Sequence, residues 1–223
     1  MQTAKSPCPQ AIAPISTNHS QHPDEPRISN RISQQTPPLS SVHVDTGSVR
    51  RAEAEGFVRD VFHRRYGARV SVFAPCLLML EQAGHPVAVA GWRGAATEPL
   101  FLENYLDAPI ETILRAQTGQ ELRREQIVEL GNLASEKAGG SLQVILHLAR
   151  QFVEAGHESV VFTATQELIG IFAKLGLPLL ALAKADPTRL GAAAADWGSY
   201  YESAPVVVAG RIRLALERFG SRA

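Results

Sequence analysis

Cysteine is nearly missing from this chain: Cys8 and Cys76 are the only two in 223 residues. One sits in a polar tail and the other in an apolar run. No structural bridge between them is expected, and a reducing cytoplasm is the default compartment. Charge of one sign is missing as well. Lys plus Arg and Asp plus Glu each number 22, so the basic footprint of a nucleic-acid binder is absent and no nucleic acid is expected as partner. No apolar run approaches the roughly 18 residues of a membrane-spanning helix. The N-terminus also lacks the basic start and apolar core of about 7–15 residues that mark a secretory signal. Membrane association is therefore not indicated by the sequence. No Gly-x-Gly-x-x-Gly follows an early strand, which argues against a doubly wound dinucleotide fold. No Gly-x-Ser-x-Gly elbow is present. His63, His147 and His157 are scattered without ligand spacing, so no metal is assigned.

What the chain does have is sharply divided. Residues 1–41 are rich in Pro, Ser, Gln and Thr, with Pro7, Pro9, Pro14, Pro23, Pro26, Pro37 and Pro38. Such a stretch buries too little apolar surface to offset its ordering entropy and reads as a disordered tail. From Val42 to Ala223 the hydrophobic patterning supports a single domain. Ser48 is expected to cap a helix carrying Val58, Val61, Phe62 and Tyr66 at helical spacing. Arg69–Phe73 and Cys76–Glu81 read as strands, and Pro86–Arg93 returns as a hairpin. Asp107-Ala108-Pro109 opens a helix that Gly119 ends. A strand from Gln126, a glycine loop and an amphipathic helix from Ser141 to Gly156 follow. Next come a strand at Ser159–Ala164, a helix capped by Thr165 and a strand at Pro178–Ala183. An aromatic loop follows at Asp196–Glu202, then a strand at Val206–Ala209 and a terminal helix at Ile212–Phe219. The fold class is α+β, a mixed and largely antiparallel sheet flanked by helices.

Chemistry concentrates between Gln126 and Gly176. Glu129 lies inside an otherwise apolar strand, where desolvation raises a carboxyl pKa and suits it to take a proton from an amine. The alternative is a solvent-facing residue or an ion pair with Arg124 or Arg93. Glu103, in Leu-Phe-Leu-Glu-Asn-Tyr, is a second acid in an apolar setting that shares the work if both face one cleft. Tyr200, Tyr201 and Trp197 are candidates to line it, with a tyrosine donating a proton to a leaving thiolate or serving only as packing. The loop Glu136-Lys137-Ala138-Gly139-Gly140-Ser141 feeds a helix N-terminus. Unpaired amides and the helix dipole there favour a phosphate group that glycine lets approach. Donor-binding candidates are Leu133, Ser135, Lys137, Gly139, Gly140 and Ser141.

This strand, loop and helix order resembles the acyl-CoA-binding half of GNAT-type N-acyltransferases and is similar to acyl-homoserine-lactone synthases. Phe172 stands where the GNAT pattern places a tyrosine before Lys174-Leu175-Gly176, and only Lys137-Ala138-Gly139-Gly140 remains of its loop motif. A fuller resemblance is to the thermostable hemolysin family. It is carried by Phe101-Leu102-Glu103-Asn104-Tyr105-Leu106, Glu129-Leu130-Gly131-Asn132-Leu133-Ala134-Ser135, Phe162-Thr163-Ala164-Thr165 and Trp197-Gly198-Ser199-Tyr200-Tyr201. Gly91-Trp92-Arg93 and Ala185-Asp186-Pro187 add to it. The resemblance implies an acyl group moved from a CoA or acyl-carrier-protein thioester to a small amine acceptor, with the thioester as co-substrate and no tightly bound cofactor. The family name implies lysis of red cells, direct or through a lipid-like product. A non-catalytic thioester-binding module is the third expectation.

Overall fold

The computed structural model describes residues 37–136 and 140–219. The expected tail falls largely outside these residues, as do Lys137 and Gly139. In chain order the elements begin with β1 (Leu39–Val44), α1 (Arg51–Tyr66), β2 (Cys76–Gln82), β3 (His85–Gly94) and α2 (Ile110–Thr118). They continue through β4 (Ile127–Ser135), α3 (Gly140–Glu154), β5 (Ser159–Ala164), α4 (Gln166–Lys174) and β6 (Leu180–Lys184) to β7 (Val206–Arg211) and α5 (Ile212–Phe219). Three 3-10 helices intervene at Phe101–Tyr105, Arg124–Gln126 and Pro187–Ser203.

The strands form one seven-stranded sheet in the order β1-β2-β3-β4-β5-β7-β6. Every pairing is antiparallel except β4 with β5. Side-chain alternation divides the core between the two faces. On β2, Leu78 and Leu80 join α3, α4 and α5 on one face, while Leu77 and Met79 join α1 on the other. Because both faces are covered, β2 reads as an unbroken apolar run. The buried residues of α3 (Val144, Ile145, Leu148, Ala149 and Phe152) recur every three or four positions, so one stripe faces the sheet. α2 packs with the 101–105 helix and β7 in a further cluster on the α1 face.

Several local expectations need correction. β1 starts at Leu39, ahead of Val42. Ser48 does not cap α1: its Oγ accepts from the Arg50 amide inside the preceding turn, and Arg50 holds the cap position without a side-chain bond to the helix's amides. Arg69–Phe73 is no strand. Asn132 takes the nearby backbone instead, its Oδ1 accepting from the Ala74 amide at 2.8 Å and its Nδ2 donating to the Val72 carbonyl at 3.1 Å. The aromatic loop is part of a kinked 3-10 helix. Cys76 is disulfide-bonded, against the expectation of no structural bridge, and the reducing compartment loses that support. No described helix is long and apolar enough to cross a membrane.

The segment 187–203 docks on the end of α1 through one close approach. Gly198 has φ 52° and ψ −131°, and a Cβ built there would lie 2.0 Å from the Tyr66 carbonyl oxygen. Ser199 Oγ donates to the same carbonyl at 3.3 Å. This contact brings Trp197 and Tyr200 against Phe62, with ring centroids 6.2 and 6.3 Å from it. Gly198→Ala is expected to lower unfolding free energy by about 3 kcal/mol, combining backbone strain with steric displacement. A denaturant midpoint unchanged from wild type would contradict the docking.

Candidate active site

The sheet opens where β4 and β5 stop pairing. Their parallel ladder spans Ile127↔Ser159 to Leu130↔Phe162 and goes no further. Beyond it β4 continues beside β3 to Ser135↔Ala88, and β5 continues beside β7 to Ala164↔Val206. The backbone edge of Gly131–Leu133 is therefore unmatched by β5. A cleft enclosing about 920 Å³, mouth included, occupies this opening and the face of the sheet in front of it. Its walls include Leu133, Thr163, Phe101, Tyr105, Trp197 and Tyr200, with Glu129 and Arg93 beside them.

Glu129 is 5% exposed. Alternation along β4 turns it away from Val128 and Leu130, which face α3, and toward the 101–105 helix. The first two amides of that helix, from Phe101 and Leu102, donate to its Oε2 and Oε1 at 2.7 and 2.9 Å. Arg93, its register partner on β3, brings Nε within 3.3 Å of Oε2. Burial pushes the Glu129 carboxyl up to about 7, against the opposing pull of Arg93 and the two amides. A carboxyl in that range exchanges protons readily near neutral pH.

Glu103 is elsewhere. It does not line the cleft. Its Oε1 accepts from Arg124 at 2.8 Å and the Ile110 amide at 3.0 Å, while Oε2 accepts from the Leu100 amide at 2.9 Å. Burial raises its carboxyl, but Arg124 and the amides of Ile110 and Leu100 outweigh that and hold it below the usual value. It is tied into the junction of α2 with the preceding helix, so the two acids do not share one cleft. Tyr200 does line the cleft. Burial, then Tyr66 and Tyr201, push its phenol well above the ordinary value, so it stays protonated. Tyr105, which the sequence reading did not select, shares a 2.6 Å hydroxyl contact with Tyr201.

A sequence model of the thermostable hemolysin family matches residues 44–216. The chain belongs to that family. No curated protein matches it in sequence. Among solved structures it is similar to the AHL synthase LasI, with TM-score 0.57 and 14% identity, covering 81% of this chain and 95% of that one. It is also similar to BjaI, a CoA-dependent acyl-homoserine lactone synthase solved with SAM and isopentyl-CoA (TM-score 0.56, 13% identity, 83% and 92% covered). FeeM, an N-acyl amino acid synthase from uncultured soil microbes, gives TM-score 0.52 and 12% identity over 81% and 96%. At these identities the likeness is one of fold: the hemolysin-family domain is GNAT-like.

Of the expected donor-binding residues in this hemolysin-family protein, Leu133 lines the cleft. Ser135 ends β4, and Gly140 and Ser141 begin α3. Gly140 lies close to Ser135: a Cβ built on it would be 2.2 Å from the Ser135 Oγ, so there is no room for a side chain there. Lys137 and Gly139 lie outside the described residues. Arg93 entered the sequence reading as an ion-pair partner and as part of a family motif, with no role at the site, and the Phe101 and Leu102 amides had no sequence signal.

Two outcomes follow from this geometry. The raised pKa means that protonating Glu129 favours the folded state. That contribution is complete below the ordinary carboxyl value of 4.5 and is lost as pH rises through about 7, an effect of about 3 kcal/mol. Carbon-13 NMR of the Glu129 carboxyl should give a midpoint near 7, and a midpoint near 4.5 would show that the amides and Arg93 win. Glu103→Ala should cost about 2–3 kcal/mol in denaturant unfolding by leaving two amides unpaired and removing one of the two carboxylates on Arg124, and it should move the Glu129 titration to lower pH, because the Glu103 charge adds to its upward shift.

Proposed function

We propose that this protein is an acyltransferase that moves an acyl group from a CoA or carrier-protein thioester to an amine. The observation that carries the reading is Glu129: a buried carboxyl, tuned to about 7, in the cleft where β4 and β5 part. The acceptor ammonium gives a proton to Glu129. The free amine then attacks the thioester carbonyl, a C–N bond forms, the C–S bond breaks as the thiolate leaves, and the second proton shed by the nitrogen balances the one that the thiolate takes up. Tyr200 is the candidate proton donor to that thiolate. It lines the cleft, and its phenol stays protonated across the neutral range. The opening that exposes Gly131–Leu133 offers main-chain groups to the donor, and Ser135, Gly140 and Ser141 carry the site on toward the start of α3.

Direct membrane lysis has weaker support. The arginine-bearing terminal helix is the modest membrane-seeking candidate in the sequence. In the fold, however, its Leu214, Ala215, Leu216 and Phe219 pack against the core, which removes the apolar face that an interfacial helix needs. A lytic effect through a lipid-like product is compatible with acyl transfer.

Calorimetry of the full chain against acyl-CoA and acyl-carrier thioesters tests the donor site. Micromolar binding is expected, and Leu133→Trp, which fills the cleft, should abolish it. No binding to any thioester sinks the transferase reading. With a productive donor, kcat/KM should fall about tenfold per pH unit below 7, as expected of a base that must be ionised. Glu129→Ala should lower it by about 100-fold or more, and a Glu129→Ala protein as fast as wild type would remove the base from the mechanism.

A further inference from the structure

Arg93 is a partly buried cation with little to hold it. Its side chain is 13% exposed, with Nε 3.3 Å from Glu129 Oε2 and Nη1 3.7 Å from Glu98 Oε2. Neither contact has hydrogen-bond geometry, and among the described residues its guanidinium donates no other hydrogen bond. Arg124, more exposed at 28%, donates to Glu103, Glu111 and the Ala95 carbonyl. A guanidinium carries five N–H donors, and leaving them unmatched while the charge is buried is costly. Arg93 is among the residues that line the cleft.

Among the described residues the cleft wall carries two charges at neutral pH, Arg93 and the ionised form of Glu129, and they are neighbours. A simple ammonium drawn to Glu129 meets the like charge of Arg93 beside it. An acceptor with its own carboxylate has no such conflict. Its ammonium faces Glu129 and its carboxylate faces Arg93, so the four charges alternate. In an α-amino acid one carbon joins the two groups, which matches two side chains in direct contact. Guanidinium is also the side chain best shaped to take a carboxylate through two parallel hydrogen bonds.

We infer that the acyl acceptor is an amine bearing its own carboxylate, an α-amino acid or close analogue, and that Arg93 is the residue that binds this carboxylate. The inference rests on the acyl-transfer reading above and adds to it the chemical class of the acceptor.

The test uses the full chain, a thioester shown by calorimetry to bind, and release of free thiol as the readout. A panel of α-amino acids is compared with their methyl esters, which keep the amine and lose the negative charge. Wild-type kcat/KM is expected to be on the order of 100-fold higher for the free acids, because the esters leave a partly buried donor group unmatched. Arg93→Gln should erase that preference, mainly through KM for the acids; because it also removes a charge that holds the Glu129 pKa down, acids and esters are compared at a pH where the base of each variant is ionised. Arg93→Lys should restore part of it. Donor binding measured on each variant shows that the cleft is intact. Equal rates with acids and esters in wild type overturn the inference and leave acyl transfer standing. An Arg93→Gln loss that is the same for both overturns it too. A protein that binds the donor yet acylates no amine overturns both.

Discussion

The structure turns on the burial of one carboxylate where two parallel strands part. Burial of Glu129 alone would strongly disfavour its charge. The fold answers with two amides from the turn at Phe101–Leu102 and with Arg93 across the β3–β4 ladder, and it answers only in part. The remaining imbalance is what leaves the group near neutrality. Much of the surrounding architecture supports this position. The 101–105 helix is braced by Glu103, Arg124 and α2, and the aromatic wall is braced by α1 through Gly198.

The same arrangement explains why the sheet changes character partway along. A parallel pair needs a crossover, and α3 supplies it between β4 and β5. β5 then commits to the antiparallel β7 while β4 stays with β3. The divergence follows from strand direction and register. It is therefore a stable feature of the topology, and the side chains that line it can differ without closing it.

Much of the fold was legible in the sequence because its signals were local. Period-two and helical spacing, Gly119 and Gly156 at helix ends, and Thr165 as a cap all act within a few residues. Glu129 was legible as an acid in an apolar strand. The failures were of a different kind. Arg69–Phe73 has strand composition, but a side chain from far along the chain, Asn132, occupies its neighbouring backbone groups. Glu103 has the same sequence context as Glu129, and only the positions of Arg124 and α2 separate a bracing acid from a cleft acid. Arg93 meets Glu129 through strand register, which no spacing in the sequence encodes.

The two amides that Glu129 accepts also fix the wall of its own cleft. A charge-assisted hydrogen bond is about twice as strong as a neutral one. When the carboxylate takes up a proton, both tethers weaken together, and the turn bearing Phe101 and Leu102 is held less tightly. The stiffness of the cavity thus follows the charge on its base. The wall is firmest when the base is ready to receive a proton and softest just after it has done so.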